Sequence, residues 1–231
     1  MVLKLYGVTA SQPVRAVQWM LEMKGIPYES VETMPGKPTK SGSRSKEYLD
    51  IVPTGTVPAI QDTDEGVVLW ESNAIMMYLA EKFKMDDLYP SNSLVERAKI
   101  QQWLHWHHQN SRVFTIALFA PIFRPDIKFG KKDLEAKSRQ INMVAKYLDS
   151  HLVKSRFLVG DRATLADIAI FEDVGQCEAE HCNLFDFEPF PNLRRWIADM
   201  RALPKFDETH SIFKVLRSII EKQRQKQASK M

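Results

Sequence analysis

The tripeptide Ser11-Gln12-Pro13 lies between a strand-like segment and a helix-like segment, and this placement constrains the fold of the first half of the chain. Residues 2–6 alternate in polarity and are rich in β-forming residues, whereas residues 13–24 carry apolar side chains at helical spacing. Ser11 occupies the position of a helix N-cap, and Pro13 falls in the first turn. The sequence therefore predicts a strand, a tight turn and a helix.

The next segments continue a mixed pattern. Residues 28–33 predict a second strand. Residues 34–47 are rich in Pro, Gly, Ser and Lys and predict a mobile loop. Residues 57–61 and 67–70 predict two strands of a hairpin, and residues 71–83 predict a helix. The order β-α-β followed by β-β-α is typical of a thioredoxin-like layout.

Almost every segment after residue 93 has helical periodicity. A long amphipathic stretch runs from Ser93 to about Phe119, where Pro121 and Pro125 are expected to end it. Later helices are predicted over residues 132–151, from Thr164, from Pro191 to before Pro204, and over about residues 208–226. The predicted fold class is therefore α/β plus all-α, with a thioredoxin-like domain at residues 1–84 and an all-helical domain at residues 93–231.

The composition excludes several classes of protein. The 231 residues contain 32 Lys and Arg against 29 Asp and Glu, and a net charge of +3 is too small to indicate a nucleic-acid partner. No apolar run reaches the length of a membrane span, and no signal-peptide core is present at the start. Cys177 and Cys182 form no metal or redox motif, so we expect no disulfide framework and a reducing compartment.

Three short motifs predict a site for a small acidic thiol peptide. The Ser11 hydroxyl, near the start of a helix, can donate to a thiolate and lower its pKa, or it can simply cap its helix. Val57-Pro58 can present its backbone to the peptide through a cis bond, or Pro58 can be an ordinary edge-strand proline. Glu71-Ser72 opens a helix and can bind an ammonium and a carboxylate, although both residues are also favoured at any helix start.

The second carboxylate of such a peptide needs a cation or a polar edge. Lys40, Lys37 and Arg44, all on the predicted loop, are the candidates, with Lys40 preferred. Charged side chains on a loop are more often simply exposed to solvent. The sequence therefore does not decide which of these cations, if any, binds the second carboxylate.

The chain resembles the theta class of glutathione transferases, in the form found in plants and algae. Motifs spread over nearly the whole length carry the resemblance, and their combination is specific. They are Ser11 to Val17, Ile51 to Ile60, Trp70 to Ile75, Arg97 to Ile100, Trp106 to Asn110 and Phe206 to His210.

The resemblance implies a homodimer that binds glutathione and a hydrophobic electrophile or hydroperoxide. It implies conjugation of glutathione to electrophiles and peroxidase activity, with glutathione as co-substrate and without a cofactor or metal. Ser11 and Arg112 would act on the sulfur. The glutathione-binding positions would be Gln12, Lys40, Thr56, Val57, Pro58, Glu71, Ser72 and Gln109.

Two positions depart from the family pattern. Thr56 stands where the family has a lysine before Val-Pro, and Gln109 stands where some theta enzymes have an acidic residue. Each change removes a charge partner for glutathione, so we expect weak glutathione affinity. The alternative function is a catalytically weak binding or scaffold module with a transferase shape, although such a module has no need of the Ser11 hydroxyl.

Two further features invite a functional interpretation. His105, His107 and His108 crowd one helix, but only His105 and His108 share a face, so we expect no metal. Ser229-Lys230-Met231 resembles a C-terminal peroxisomal targeting signal, so we expect it to bind a peroxisomal import receptor. The expected location is the peroxisome, the cytoplasm or both. The alternative is a chance match in a basic tail.

Overall fold

The structure is a computed structural model that describes residues 2–124, 127–128 and 130–228, with the backbone alone described at residues 227 and 228. The candidate import signal Ser229-Lys230-Met231 and the predicted helix breaker Pro125 lie outside the described residues. No described helix is both long enough and apolar enough to cross a membrane.

The chain divides into two compact units. The first contains the residues up to Asn92 together with Pro204–His210, and the second contains Ser93–Leu203 and the residues from Ser211 onward. The sequence division at residues 84 and 93 had left Pro204–His210 in the helical domain. This segment packs in the first unit because the buried Trp19 donates its indole N–H to the carbonyl of Pro204 at 3.0 Å and contacts the Phe206 ring.

A four-stranded mixed sheet forms the centre of the first unit. Its spatial order is β2-β1-β3-β4, with β1 parallel to β2 and antiparallel to β3, and with β3 antiparallel to β4. The strands are β1 (Leu3–Gly7), β2 (Glu29–Glu32), β3 (Ala59–Asp62) and β4 (Val67–Trp70). The thioredoxin-like layout is confirmed.

One predicted strand begins later than expected. The ladder of β3 starts at Ala59 rather than Val57, because the preceding Val57–Pro58 peptide bond is cis and Pro58 has no N–H to donate. The predicted strand at Val67–Trp70 is confirmed to the residue.

Three helices complete the α/β part of the first unit. They are α1 (Gln12–Met23), α2 (Lys46–Ile51) and α3 (Ser72–Lys82). Helix α1 is held by its apolar face, where Val17, Trp19, Met20 and Leu21 are completely buried. Burying these four side chains stabilises the fold by about 2 kcal/mol each.

The segment between β2 and α2, expected to be a mobile loop, is closed by hydrogen bonds. The Met34 N–H donates to the Ser41 carbonyl at 2.7 Å, and the Arg44 N–H donates to the Lys37 carbonyl at 2.9 Å. Gly42 lies so close to the Lys37 carbonyl that a Cβ would come within 2.0 Å of its oxygen. A glycine therefore allows the segment to fold back on itself.

The second unit is built from helices. Those before residue 160 are α4 (Leu94–Gln109), α5 (Arg112–Phe114), a π-helical segment (Thr115–Phe119), α6 (Ala120–Phe123) and α7 (Lys131–Leu152). Later ones are α8 (Leu165–Val174), a 3-10 turn (Gly175–Cys177), α9 (Pro191–Arg201) and α11 (Ile212–Ala228), while α10 (Phe206–Thr209) belongs to the first unit.

The prediction of one continuous helix from Ser93 to about Phe119 was wrong. Helix α4 ends at Gln109, where the backbone of Asn110 leaves helical geometry with φ −119° and ψ −81°. Pro121 does not end a helix either. It lies in the first turn of α6, where its missing N–H costs nothing.

Helix α8 is the core of the second unit. All ten of its residues are buried, and α4 and α9 pack against it. Its start is the predicted capping box, in which Thr164 and Asp167 bond to each other's backbone N–H groups. A helix that is buried on every side must be enclosed by other elements, which agrees with its central position in this unit.

Candidate functional site

The register of the sheet brings the predicted motifs of the first unit to one edge. Tyr6 pairs with Ala59, and Ala59 pairs with Trp70, so the end of β1, the start of β3 and the end of β4 lie side by side. The residues just beyond these pairs are the Ser11 turn, the Val57–Pro58 bond and Glu71-Ser72. The strand pairing therefore gathers three motifs that are up to 61 residues apart in the sequence.

Ser11 is the N-cap residue of α1, as predicted, but its side chain makes no capping hydrogen bond. Its backbone has extended geometry, with φ −83° and ψ 123°, and its carbonyl accepts the Arg15 N–H at 3.0 Å. Ser11 is half-buried and stands at the start of a helix, beside the edge of the sheet where the three motifs meet. This hydroxyl can donate to an anion there. The adjacent Gln12 is buried in the first turn.

Arg15 supports the turn that carries Ser11, a role that the sequence motifs did not predict. Its side chain is completely buried, and its Nη1 donates to the carbonyls of Thr9 at 3.0 Å and Ala10 at 3.2 Å. A charged residue within the apolar run Val14 to Val17 was the available signal, because a buried arginine requires partners.

Replacing Arg15 by methionine is expected to destabilise the protein by about 3 kcal/mol, because the two loop carbonyls lose their donor inside the protein. Thermal unfolding should show a fall in melting temperature of roughly 6–12 °C. Arg44→Met is the matched control, because Arg44 is exposed. Equal melting temperatures for the two variants would contradict the supporting role.

The Val57–Pro58 peptide bond is cis, which is one of the two alternatives that the sequence left open. Val57 precedes the first paired residue of β3, and Pro58 is buried. The neighbouring Thr56 is exposed, and its carbonyl accepts the Tyr48 hydroxyl at 2.6 Å. The backbone of Val57 therefore lies at the sheet edge beyond the ladder, where it can pair with an extended ligand.

Glu71 and Ser72 occupy the first positions of α3, as predicted. Ser72 is buried, whereas Glu71 is exposed and has φ 70° and ψ 108°, outside the regions that residues with a side chain normally adopt. A non-glycine residue in such a conformation costs about 1–3 kcal/mol, and such strain is concentrated at functional sites. The strained backbone of Glu71 therefore marks the start of α3 as a candidate ligand site.

The cations proposed for the second carboxylate lie on the segment that follows β2. Because β2 runs parallel to β1, with Gly7 paired to Glu32, this segment leaves the sheet at the same edge as the Ser11 turn. Lys37, Lys40 and Arg44 are all exposed, and the structure does not single out one of them.

The two predicted residues of the second unit lie on either side of the break after α4. Gln109, the last residue of α4, is exposed, and its carbonyl accepts the Gln140 side chain at 2.9 Å. The Arg112 Nη1 donates to Asp173 Oδ1 at 3.1 Å. Burial alone would raise the pKa of Asp173, but the Arg112 charge and hydrogen bonds from His107 and Thr115 hold it below its usual range.

The histidine cluster has a structural explanation. His107 is buried and its Nε2 lies 2.6 Å from Asp173 Oδ2, whereas His105 and His108 are exposed. Within the part of the chain that the structure describes, no three His, Cys, Asp or Glu side chains are grouped so that they could hold a metal ion. Cys177 and Cys182 are buried free thiols.

Comparisons with known proteins agree with this arrangement. Residues 5–87 match the family profile "Glutathione S-transferase, N-terminal domain", and residues 113–204 match "Glutathione S-transferase, C-terminal domain". Human glutathione S-transferase theta-2 is 30% identical over 225 residues, which cover 95% of this chain and 88% of that protein.

Solved structures give the same result. A delta-class glutathione transferase of Nilaparvata lugens superposes with a TM-score of 0.80 at 28% identity, covering 95% of this chain and 98% of that one. Human theta-2, solved in complex with glutathione and an unknown ligand, gives a TM-score of 0.77 at 31% identity, covering 97% and 91%. The chain belongs to the glutathione S-transferase family.

Proposed function

We propose that this protein binds glutathione at the edge of the thioredoxin-like sheet and activates its thiol through the Ser11 hydroxyl. The observation that carries the proposal is the Ser11 side chain, which lies at a helix start beside the Val57–Pro58 and Glu71-Ser72 motifs and does not cap its own helix. Val57 would pair with the cysteinyl backbone, and Ser72 and Glu71 would hold the γ-glutamyl group. Gln12, Thr56, Pro58 and Lys40 would complete the glutathione site.

Two reactions follow from an activated thiolate, and neither requires a cofactor. In conjugation, the sulfur forms a bond to an electrophilic carbon and the leaving group departs with the electron pair of the broken bond. In hydroperoxide reduction, the sulfur attacks the peroxide oxygen and releases an alcohol after proton uptake. A second glutathione then displaces water from the sulfenic acid and forms glutathione disulfide.

The class and the oligomeric state are also proposals. Theta-class character is supported by the serine at the first turn and by the likeness to human theta-2, but a delta-class structure is equally similar. These human and insect relatives do not support a plant or algal affinity. A homodimer, in which Gln109 faces the ligand of the neighbouring subunit, can be tested by analytical ultracentrifugation.

The decisive assay is turnover of cumene hydroperoxide and of an activated aryl chloride with glutathione, combined with thermal unfolding in the presence of glutathione. Activity toward either substrate, together with a higher melting temperature, is expected. Activity toward the aryl chloride alone would remove the peroxidase proposal. If there were no turnover and no glutathione-dependent shift, the scaffold alternative would replace the enzyme.

Glutathione affinity is expected to be weak because Thr56 and Gln109 replace charged groups of the family pattern. Isothermal titration should give a dissociation constant above roughly 100 μM. Thr56→Lys should tighten binding by about threefold to tenfold, since a cation at this exposed position can reach a carboxylate. A dissociation constant of tens of micromolar or lower for the wild type would contradict the expectation of weak glutathione binding.

Glu71 offers a test in which stability and binding move in opposite directions. Glu71→Gly should stabilise the protein by about 1 kcal/mol, because glycine adopts the observed φ of 70° without strain, yet it removes the ammonium partner and should weaken glutathione binding. Glu71→Ala is the matched control, since it loses the carboxylate but keeps the strain. Unchanged affinity in both variants would exclude a role for Glu71 in binding.

A peroxisomal location, alone or with a cytoplasmic one, is proposed from Ser229-Lys230-Met231 only. Imaging of a fluorescent fusion that leaves these residues at the C-terminus, beside a variant without them, tests recognition by an import receptor. Identical distributions of the two fusions would exclude it.

A further inference from the structure

Helix α11 concentrates the positive charge of the chain. It carries five Lys and Arg residues and a single acidic residue, Glu221. The rest of the sequence has 27 Lys and Arg against 28 Asp and Glu, so a net charge of +4 on this helix compares with −1 on everything else. Such an asymmetry in a chain that is nearly neutral overall is typical of a surface that meets a polyanion or an anionic membrane.

One face of α11 holds the helix on the second unit. Phe213, Leu216 and Ile220 are buried at helical spacing. The Phe213 ring packs against the His181 ring, with 4.7 Å between the ring centroids. This face of the helix is therefore committed to the core of the unit.

The two arginines and the acid of α11 are engaged in contacts of their own. Arg217 Nη1 donates to the Ala179 carbonyl at 3.0 Å, and Arg224 Nη2 donates to the Asn183 carbonyl at 2.7 Å. Arg217 Nε also donates to Glu221 Oε1 at 2.9 Å, one helical turn away. The arginines thus help to hold the helix in place, and one of them pairs with its only acidic residue.

The opposite face of α11 combines apolar and cationic side chains, and we call it the outer face. Val215 and Ile219 are 54% and 38% exposed. Lys222 and Lys226 are exposed on the same stripe, since the four positions follow the spacing i, i+4, i+7 and i+11. Lys214 is exposed beside Val215. At about 1.5 Å per residue, the stripe extends for about 17 Å along the helix.

This combination fits an anionic membrane surface better than it fits a nucleic acid. The apolar side chains of an interfacial helix enter the boundary between headgroups and acyl chains, while long lysine side chains keep their ammonium groups at the level of the phosphates. Surfaces that bind single-stranded nucleic acid add aromatic side chains on which bases stack, but the one aromatic residue of α11, Phe213, is buried.

We propose that the outer face of α11 binds the surface of a membrane that contains anionic phospholipids. Val215 and Ile219 enter the interface, and Lys214, Lys222 and Lys226 contact the lipid phosphates. Because the other face of α11 is buried in the second unit, the helix lies along the membrane surface and the association is peripheral and reversible. This binding is independent of the proposed glutathione site.

Flotation of the full-length protein with lipid vesicles tests the proposal. The wild type should bind phosphatidylcholine vesicles that contain roughly 30% phosphatidylserine at least about tenfold more tightly than vesicles of phosphatidylcholine alone, and raising the salt from about 0.1 M to about 0.5 M should remove most of this preference. The triple variant Lys214→Gln/Lys222→Gln/Lys226→Gln should bind the anionic vesicles about 100-fold more weakly, because each lysine near an anionic surface contributes about fivefold.

Two further variants separate local contacts from net charge. Lys131→Gln/Lys132→Gln/Lys146→Gln is the matched control, because these lysines of α7 are also exposed and their loss changes the net charge equally. It should bind within about threefold of the wild type. Val215→Ser/Ile219→Ser keeps every charge and should weaken binding about tenfold, since it removes the side chains that enter the interface. Thermal unfolding verifies that each variant is folded.

Each contrary outcome has a definite meaning. Equal binding to neutral and anionic vesicles, or equal binding by the two triple variants, would overturn the proposal. If the serine variant bound vesicles as tightly as the wild type and a DNA oligonucleotide displaced them, the outer face would be a nucleic-acid site instead. If the wild type ignored vesicles but self-associated in ultracentrifugation, and the serine variant did not, a second copy of the chain would cover this face. None of these results depends on glutathione turnover, so the inference and the proposed function fail separately.

Discussion

Replacing Ser11 by alanine is expected to lower kcat/KM with glutathione at neutral pH by about 10- to 30-fold. A hydroxyl that donates to a thiolate stabilises the charged form, and a pKa about two units below the usual 8.5 converts the thiolate from a few per cent to a majority at pH 7. The structure leaves this hydroxyl at the N-terminus of α1 without a capping bond. Its removal should therefore affect the ionisation of bound glutathione more than the fold.

The pH dependence distinguishes ionisation from mere positioning. The deficit of Ser11→Ala should shrink as the pH rises above about 8.5, where free glutathione ionises without help. Thr9→Val is the matched control, because the Thr9 hydroxyl lies in the same turn but donates to Gln18 at 3.1 Å. A deficit that is constant from pH 6 to pH 9 would mean that Ser11 positions the sulfur and does not lower its pKa.

The sequence predicted those parts of the structure that depend on local chemistry. Strand β4 is a short run of β-forming apolar residues after the Asp64-Glu65-Gly66 turn, and helix α8 begins with a Thr-x-x-Asp capping box, so both were predicted at their observed starts. The sheet edge was also predictable, because three motifs that each follow or precede a predicted strand meet when those strands pair.

Other features depend on contacts between residues distant in the chain. The sequence around Asn110 contains no proline or glycine that would predict a helix break there. Just after the break, Arg112 and Thr115 donate to Asp173 of α8, a contact that the sequence does not show. The docking of Pro204–His210 in the first unit depends on Trp19, nearly 190 residues away. Periodicity shows that a face is apolar but does not show which surface it will meet.

Replacing Asp167 by asparagine is expected to be the most destabilising of the changes considered, at about 3–4 kcal/mol. The buried carboxylate accepts four hydrogen bonds, from the backbone N–H groups of Leu158 and Thr164, the Thr164 hydroxyl and the Trp196 indole, each at 2.9 Å. An asparagine has one carbonyl oxygen, so its NH₂ group must face donors on the other side. Unpaired buried donors and a lost capping box both oppose folding.

Thermal unfolding at a fixed protein concentration should show a fall of roughly 6–16 °C in melting temperature for Asp167→Asn. Asp186→Asn is the matched control, since Asp186 is exposed and accepts the Glu188 N–H at 2.9 Å. It should change the melting temperature by no more than about 2 °C. Burial raises the pKa of Asp167 above its usual value, by more than its four hydrogen-bond donors lower it. Melting temperatures of Asp167→Asn and Asp186→Asn within about 2 °C of each other would contradict the prediction. That result would mean that Asp167 is protonated in the folded protein, so that asparagine replaces a neutral carboxylic acid.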